Sequence, residues 1–250
     1  MRFVFSLIVS IILLCPAASS AQTWKLVSPG GGGGSSGGVD CPLPWGGTLN
    51  HGDQITLYKD NAHPQCASIA RPFACSNGML VGYGDPYQDF RHESCIVVSI
   101  GDAVSAKGSA IYIGHLGENH LYMSPSDDST SVKWKADNNA GTPGTQSLID
   151  GYANTYNMNN NTYPAATLCA SKSPAGTWYL PARDELNVIW ENRTNINLSA
   201  KAISTSTTQY YWSSTEHGTN HAWGQQFGSG YQYDGFNKSD NNFRVRCFRR

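Results

Sequence analysis

Charge is what this chain has least of. Asp, Glu, Lys and Arg make up 14% of its 250 residues, against about a quarter in an average globular domain. The net charge is −1, so no global field draws the protein to nucleic acid or to an anionic membrane surface. No apolar run reaches the ~20 residues needed to cross a bilayer. Cysteines never occur as Cys-x-x-Cys, which removes the ligand spacing of zinc ribbons and thioredoxin-like redox sites. The nearest approach to a nucleophile elbow, Phe227-Gly-Ser-Gly-Tyr231, lacks the strand-to-helix context that such a serine needs.

What remains is an exported, disulfide-bearing composition. Arg2, the apolar stretch Phe3 to Leu14 and the small residues Ala18-Ser-Ser-Ala21 read as a cleaved secretory signal over 1–21. Leu14 stands before Cys15 where a lipid-anchored chain would carry a small residue. Beyond the signal lie Cys41, Cys66, Cys75, Cys95, Cys169 and Cys247, an even set that reads as disulfides formed outside the cytoplasm. Four crowd into 41–95 and two follow, which suggests two separately stapled units. In the first, the simplest pairing joins sequence neighbours, Cys41 with Cys66 and Cys75 with Cys95.

Residues 22–38 are a Gly/Ser-rich linker, opening on a short segment whose Trp24 would suit strand addition to a partner. Residues 39–98 form a small β module. Gln54-Ile-Thr-Leu-Tyr58 alternates as a half-buried strand does, and Asn77-Gly78 between two extended runs is a hairpin signal. So short a unit buries little core, and disulfides are its expected stabilisers. The pattern Cys41-Pro-Leu-Pro-Trp-Gly-Gly-Thr48, with His51-Gly52 and Cys75-x-Asn-Gly-x-Leu80, resembles a small non-enzymatic module of exported bacterial proteins. His51 is read there as a turn residue.

Residues 99–250 form the second unit. Ser109 to Gly114 and His120 to Ser124 read as adjoining strands. Gln146 to Tyr156 (Leu148, Ile149, Tyr152) and Ala165 to Lys172 (Ala165, Leu168, Cys169) carry helical spacing. Trp178-Tyr-Leu180 is a short strand, and Pro181 opens a helix through Asn192 with Leu186, Ile189 and Trp190 on one face. Glu185 stands where a capping-box acid belongs, but Ala182 cannot complete the box. The last forty residues hold three aromatic, β-branched runs, 210–215, 222–227 and 243–248, separated by turn formers, and read as antiparallel strands.

The ordered set Gly101-Asp102, Ser124-Pro-Ser-Asp-Asp128, Ala165-Ala-x-Leu-Cys169, Trp178-Tyr-Leu-Pro-Ala-Arg-Asp-Glu-Leu186, Tyr211-Trp-Ser-Ser-Thr-Glu216, Ala222-Trp223 and Arg244-Val-Arg-Cys247 resembles the Lcl-type domain at the C-terminus of bacterial collagen-like adhesins, over about 99–250. The resemblance implies an α+β, C-type-lectin-like fold behind the all-β front module. It also implies a disulfide between Cys169 and Cys247, worth roughly 4–5 kcal/mol on the chain-entropy account, and adhesion to glycan, sulfated glycosaminoglycan included. Ala182 departs from the Thr that often follows Leu-Pro in such families. No Gly-X-Y repeat is present, so the collagen-like stalk is missing and its oligomeric state does not carry over.

Weighed residue by residue, metal and catalysis fare poorly. The calcium motifs of animal C-type lectins are absent, and Asp127, Asp128, Asp234, Asn237, Asp240, Asn241 and Asn242 are calcium candidates by composition only, more simply read as loop residues. His217 and His221 with Glu216 have helical metal spacing in a stretch that reads as a loop. Formylglycine-generating oxidases share the broad fold but need a reactive cysteine pair, whereas these cysteines are better used structurally. Neither enzymatic activity nor a cofactor or metal is expected.

Binding is the stronger expectation. Trp212, Trp223 and Phe243 are assigned to the core, leaving Tyr231, Tyr233 and Phe236, interleaved with Gln232, Asp234 and Asn237, as a contact surface of rings and polar neighbours. Lys238, Arg244, Arg246, Arg249 and Arg250 place positive charge beside it, suited to sulfate or carboxylate. The expected ligand-binding set is Tyr231, Tyr233, Asp234, Phe236, Asn237, Lys238, Arg244 and Arg246. The chain then reads as a secreted, surface or periplasmic binding protein, oligomeric or not, with an extracellular glycan or protein as partner. A structural envelope or pilus component, or a scaffold for diversified receptor residues in 217–242, is the alternative.

Overall fold

The structure, a computed structural model, describes residues 38–43, 45–82, 90–137 and 141–250. The signal over 1–21, the linker up to Gly37 with Trp24, and Pro44 of the front motif lie outside the described residues.

The front module is built from short strands. β1 (Cys41–Pro42) pairs with β2 (Thr48–Leu49). After β3 (Gln54–Tyr58) and β4 (Ala62–His63) come β5 (Ala70–Ser76), β6 (Met79–Gly82) and β7 (Ile96–Val97). β3, β5 and β6 make an antiparallel sheet, while β4 runs parallel with β7. The alternation of β3 sends Ile55 and Leu57 inward onto Phe73 and Phe90 and leaves Gln54 and Thr56 in water. At the hairpin tip Asn77 (φ 47°) and Gly78 (φ 83°) take the two left-handed positions of a type I′ turn.

The pairing of sequence neighbours does not hold. Cys41 is joined to Cys75, and Cys66 to Cys95. The β5–β6 hairpin folds back on the residues before β1, with Gly78 N–H donating to Val39 O at 2.7 Å, and this carries Cys75 to Cys41. Cys66 follows β4 and Cys95 precedes β7, so the parallel β4–β7 pair brings those two together.

The rest of the chain adds β8 (Ala103–Val104), β9 (Ala110–Leu116), β10 (Asn119–Met123) and β11 (Ser129–Val132). Next come α1 (Gly151–Asn157), α2 (Pro164–Ala170), α3 (Arg183–Glu191) and α4 (Arg193–Ile196). It closes with β12 (Tyr211–His217), β13 (His221–Gln225), β14 (Gln232–Asn237), β15 (Phe243–Val245) and β16 (Phe248–Arg249). Two sheets result, ordered β16-β10-β9-β8 and β11-β15-β12-β13-β14. The architecture is mixed and sheet-rich, with few helices.

Two tryptophans tie the larger sheet to its surroundings. Trp134 Nε1 donates to Ser213 O at 2.8 Å, and Trp212 Nε1 donates to Val132 O at 2.9 Å, so each buried indole satisfies its N–H on the other's segment. Cys169 of α2 is bonded to Cys247 between β15 and β16, closing a loop 78 residues apart in sequence. Leu186 and Ile189 of α3 are buried and Trp190 is half-buried.

The expected stripe before α1 is not a core face. Leu148, Ile149 and Tyr152 are exposed. Ser147 Oγ accepts from the N–H groups of Ile149 and Asp150, which turns the chain before the helix can begin, and Asp150 then caps it by accepting from Ala153 N at 3.1 Å.

The front module packs on the β16-β10-β9-β8 sheet through specific contacts. Tyr122 Oη donates to Ala62 O at 3.2 Å, Lys107 Nζ lies 2.8 Å from Asp60 Oδ2, and the His63 and His120 rings meet edge-on at 4.3 Å.

Candidate recognition surface

Much of what looked chemically active in sequence is interior scaffolding. In β12, Ser213, Ser214, Thr215 and Glu216 are all buried. Thr215 Oγ1 accepts from Arg183 N at 3.0 Å and donates to Ser147 O at 2.8 Å, supplying the cap for α3 that Ala182 cannot. Ser214 N donates to Pro181 O at 2.7 Å. Glu185, fully buried, completes the start of α3 by accepting from Ala182 N and Gly151 N at 2.8 and 3.0 Å. Burial lifts its carboxyl above the ordinary glutamate value, against the pull of Arg250.

The cations expected beside the rings are spent inside the protein, which corrects their assignment to a binding face. Lys238 is fully buried, paired with Glu216, and donates to Thr219 O at 2.7 Å. Its ammonium lies 5.0 Å from the Trp134 ring, and burial lowers its pKa. Arg246, also buried, donates to Ser124 O and Ala202 O at 2.9 Å and lies 2.9 Å from Asp127 Oδ1. Arg244 reaches Asp127 Oδ2 at 2.6 Å and Gln209 Oε1 at 3.0 Å. Arg249 donates to Lys107 O, and Arg250 reaches both Glu185 and Asp150 at 2.9 Å. A low-charge chain uses these ions to join distant segments: Asp127 alone ties the start of β11 to β15 and, through Tyr211 at 3.2 Å, to β12.

The same partners use up the calcium candidates at 127 and 128. Asp128 accepts from Cys247 N at 2.7 Å and from Ser124 Oγ, and it pairs with Lys172. Among the described residues no group of three His, Cys, Asp or Glu is placed to hold a metal ion. His217 and His221 face each other across the β12–β13 turn in register, not along a helix.

The aromatic residues remain, and they are ordered. Tyr231 and Tyr233, two apart and so on one face of the extended chain, are 53% and 40% exposed, with ring centroids 6.3 Å apart and planes at 22°. β14 forms one edge of its sheet, bonded to β13 alone. A register shift between Ala222 and Gly224 places Phe236 against Tyr233, 4.8 Å away. Phe236 is thereby a half-buried support rather than a free contact residue: it packs 4.6 Å from Phe243, itself 4.2 Å from Trp212. An aromatic ladder runs from the core out to the exposed Tyr231. Its outer end is fixed by Gly230 (φ 78°), where an added Cβ would sit 2.2 Å from the Trp190 ring.

Trp223 is not a core residue either, but it lies on the opposite face of the sheet from Tyr231 and Tyr233, since Gly224 pairs with Tyr233 and Ala222 with Phe236. It is half-buried, 4.9 Å beneath the Arg183 guanidinium and 5.8 Å from His217, whose Nδ1 lies 3.3 Å from Asp234 Oδ2. The sequence carried the sign: in β13 the small residues Ala222 and Gly224 are the buried ones, so the Trp between them must turn outward. Of the expected ligand-binding set, then, Tyr231 and Tyr233 stand exposed on one face with Phe236 supporting them, Asp234 and Asn237 stand at the surface on the other face, and Lys238, Arg244 and Arg246 do not join them.

These features define a disulfide-bonded, sheet-rich protein with a preformed aromatic edge. The chain belongs to the Lcl C-terminal domain family, whose model matches residues 125–249. Among solved structures it is similar to a fimbrial protein from Bacteroides ovatus, with 15% identity and a TM-score of 0.37; the match covers 84% of this chain and 48% of that one, so the chain spans about half its length. No curated protein sequence matches.

Proposed function

We propose that this is an exported bacterial surface or secreted binding protein whose C-terminal domain, of C-type-lectin-like kind, recognises extracellular glycan by ring stacking. The observation that carries the reading is the near-parallel, exposed pair Tyr231 and Tyr233, held from beneath by Phe236 and Phe243. Aromatic faces with polar rims suit the apolar faces and hydroxyls of sugars, and a platform rigid before binding loses little entropy on binding. Three disulfides support an oxidising location. Binding is non-covalent and uses no metal.

The test is saturable binding of the purified full chain to a panel of polysaccharides, with and without EDTA. Binding that survives EDTA and is lost in Tyr231→Ala at unchanged thermal stability supports the reading. A protein that binds no glycan but recovers an envelope protein in crosslinking, through the exposed Ile149, Tyr152 and Tyr156 of the α1 region, favours the structural alternative.

A further inference from the structure

Resting on that recognition role, we infer that the ligand is a neutral polysaccharide, taken by the uncharged C–H faces of its sugar rings, and not a sulfated or carboxylated polymer. The argument is where the positive charge goes. A sulfate needs cationic donors whose hydrogen bonds are free, and Lys238, Arg244 and Arg246, nearest in sequence to the rings, are committed to Glu216 and Asp127 inside the fold. Asp234, the carboxylate that β14 itself carries, is turned to the other face of the strand, toward His217.

Two further guanidiniums stack on tryptophans rather than on these tyrosines. Arg183 lies over Trp223, and its Nε donates to Asp184 Oδ1 at 2.7 Å. Arg193 is folded onto Trp190 at 4.1 Å and donates to Trp190 O at 2.7 Å. The cations nearest these rings in sequence are thus held in other contacts, which disfavours a polyanion. A neutral chain meets two ring faces in line and needs no charged partner there.

The experiment compares the full chain on immobilised mannan, a neutral β-glucan and heparin. Salt is varied from about 0.05 to about 0.5 M, a range that collapses the Debye length and weakens exposed ionic contacts. The expected result is binding to a neutral polymer that changes less than about twofold over that range. It should fall about tenfold or more in Tyr231→Ala and in Tyr233→Ala and persist in Tyr231→Phe, which keeps the ring face. Because both tyrosines are exposed, the thermal transition of each variant should match the parent. Heparin binding that weakens steeply with salt and is lost in the same tyrosine variants overturns the neutral ligand while leaving the recognition role standing. Failure to bind any of the three polymers overturns both.

Discussion

The Glu185 carboxylate and the Arg250 guanidinium lie 2.9 Å apart, with Glu185 only 1% exposed at its side chain and Arg250 28%. The pair joins the first turn of α3 to the segment after β16, and Tyr179 Oη donates to the same carboxylate oxygen at 3.0 Å. Its other oxygen is already taken by two backbone N–H groups. Every lone-pair direction has a donor, which is how a carboxylate stays buried.

Removing the cation should therefore cost more than a surface pair would. Arg250→Ala is expected to destabilise by about 2–3 kcal/mol, below the ~3–5 of a wholly buried pair because Arg250 keeps some solvent. Glu185→Gln should also destabilise, since an amide nitrogen would face donors on one side. Because burial raises the Glu185 pKa, ionising it opposes folding: this group's contribution is most favourable below the ordinary carboxyl value and diminishes as pH rises through its folded value. Thermal melts of both variants across acid pH check the two statements together; a surface-like loss under about 0.5 kcal/mol for Arg250→Ala contradicts the account.

Lys238→Met should be more severe, because both members of the Lys238–Glu216 pair are buried, at 0% and 4% side-chain exposure. A loss of about 3–5 kcal/mol is expected, from an unpaired Glu216 held in the interior. The double variant Lys238→Met, Glu216→Gln should recover part of it, as the second charge goes while acceptors for Thr142 N and a partner for Gln146 remain. Denaturant midpoints of the single and double variants measure this. A Lys238→Met protein as stable as the parent would return Lys238 to the surface.

Strand alternation and turn signals read well, whereas the helical spacing of Leu148, Ile149 and Tyr152 and the long-range pairings did not. The alternation of Gln54 to Tyr58 and the Asn77-Gly78 turn depend on neighbours in sequence, and each stands where its pattern said. The fate of Lys238, Arg244 and Arg246 depended on Glu216 and Asp127, up to 119 positions away in sequence, and no spacing rule reports that a cation faces inward. Likewise Phe236 was grouped with Tyr231 and Tyr233 as a contact ring because polar residues interleave the three, and the β-bulge beside Ala222 sets it against the core. The front cysteines were paired by proximity along the chain, whereas the hairpin and the parallel β4–β7 contact decide proximity in space. Trp223 was partly legible, through its small inward neighbours.

The seam between the front module and β9–β10 should respond to acid. His120 meets His63 at 4.3 Å and His115 at 6.0 Å, and Tyr112 Oη hydrogen-bonds its Nδ1 at 2.9 Å. Burial, then the neighbouring imidazoles, hold its pKa below the ordinary histidine value of 6.5, with Asp60 opposing and Lys107 reinforcing. A depressed folded-state value means that the unfolded chain takes up the proton first. Stability from this site is thus full above about pH 6.5 and lost progressively as pH falls below it. His120→Gln should flatten that part of the stability profile. Hydrogen exchange at Ala62 and Val98, followed from about pH 7.5 to about pH 5.5, should report faster opening in the parent and little change in the variant; equal acceleration in both places the acid response elsewhere.

Gly235 offers a way to move the recognition surface without disturbing the core beneath it. A Cβ at this position would lie 2.5 Å from Tyr233 Oη and 2.6 Å from Cζ, the far end of a side chain that is already 40% exposed. Gly235 is not in the left-handed region, so alanine meets no backbone penalty there. The ring must swing away from Phe236 and from its near-parallel setting beside Tyr231, while the contacts among Phe236, Phe243 and Trp212 stay in place. Gly235→Ala is therefore expected to melt within about 0.5 kcal/mol of the parent yet to lose about tenfold in glycan affinity, a separation that a merely destabilising change cannot produce. Calorimetric melts and polysaccharide titrations on one preparation decide it: full affinity in Gly235→Ala would mean that the alignment of the two tyrosines is not what the ligand uses.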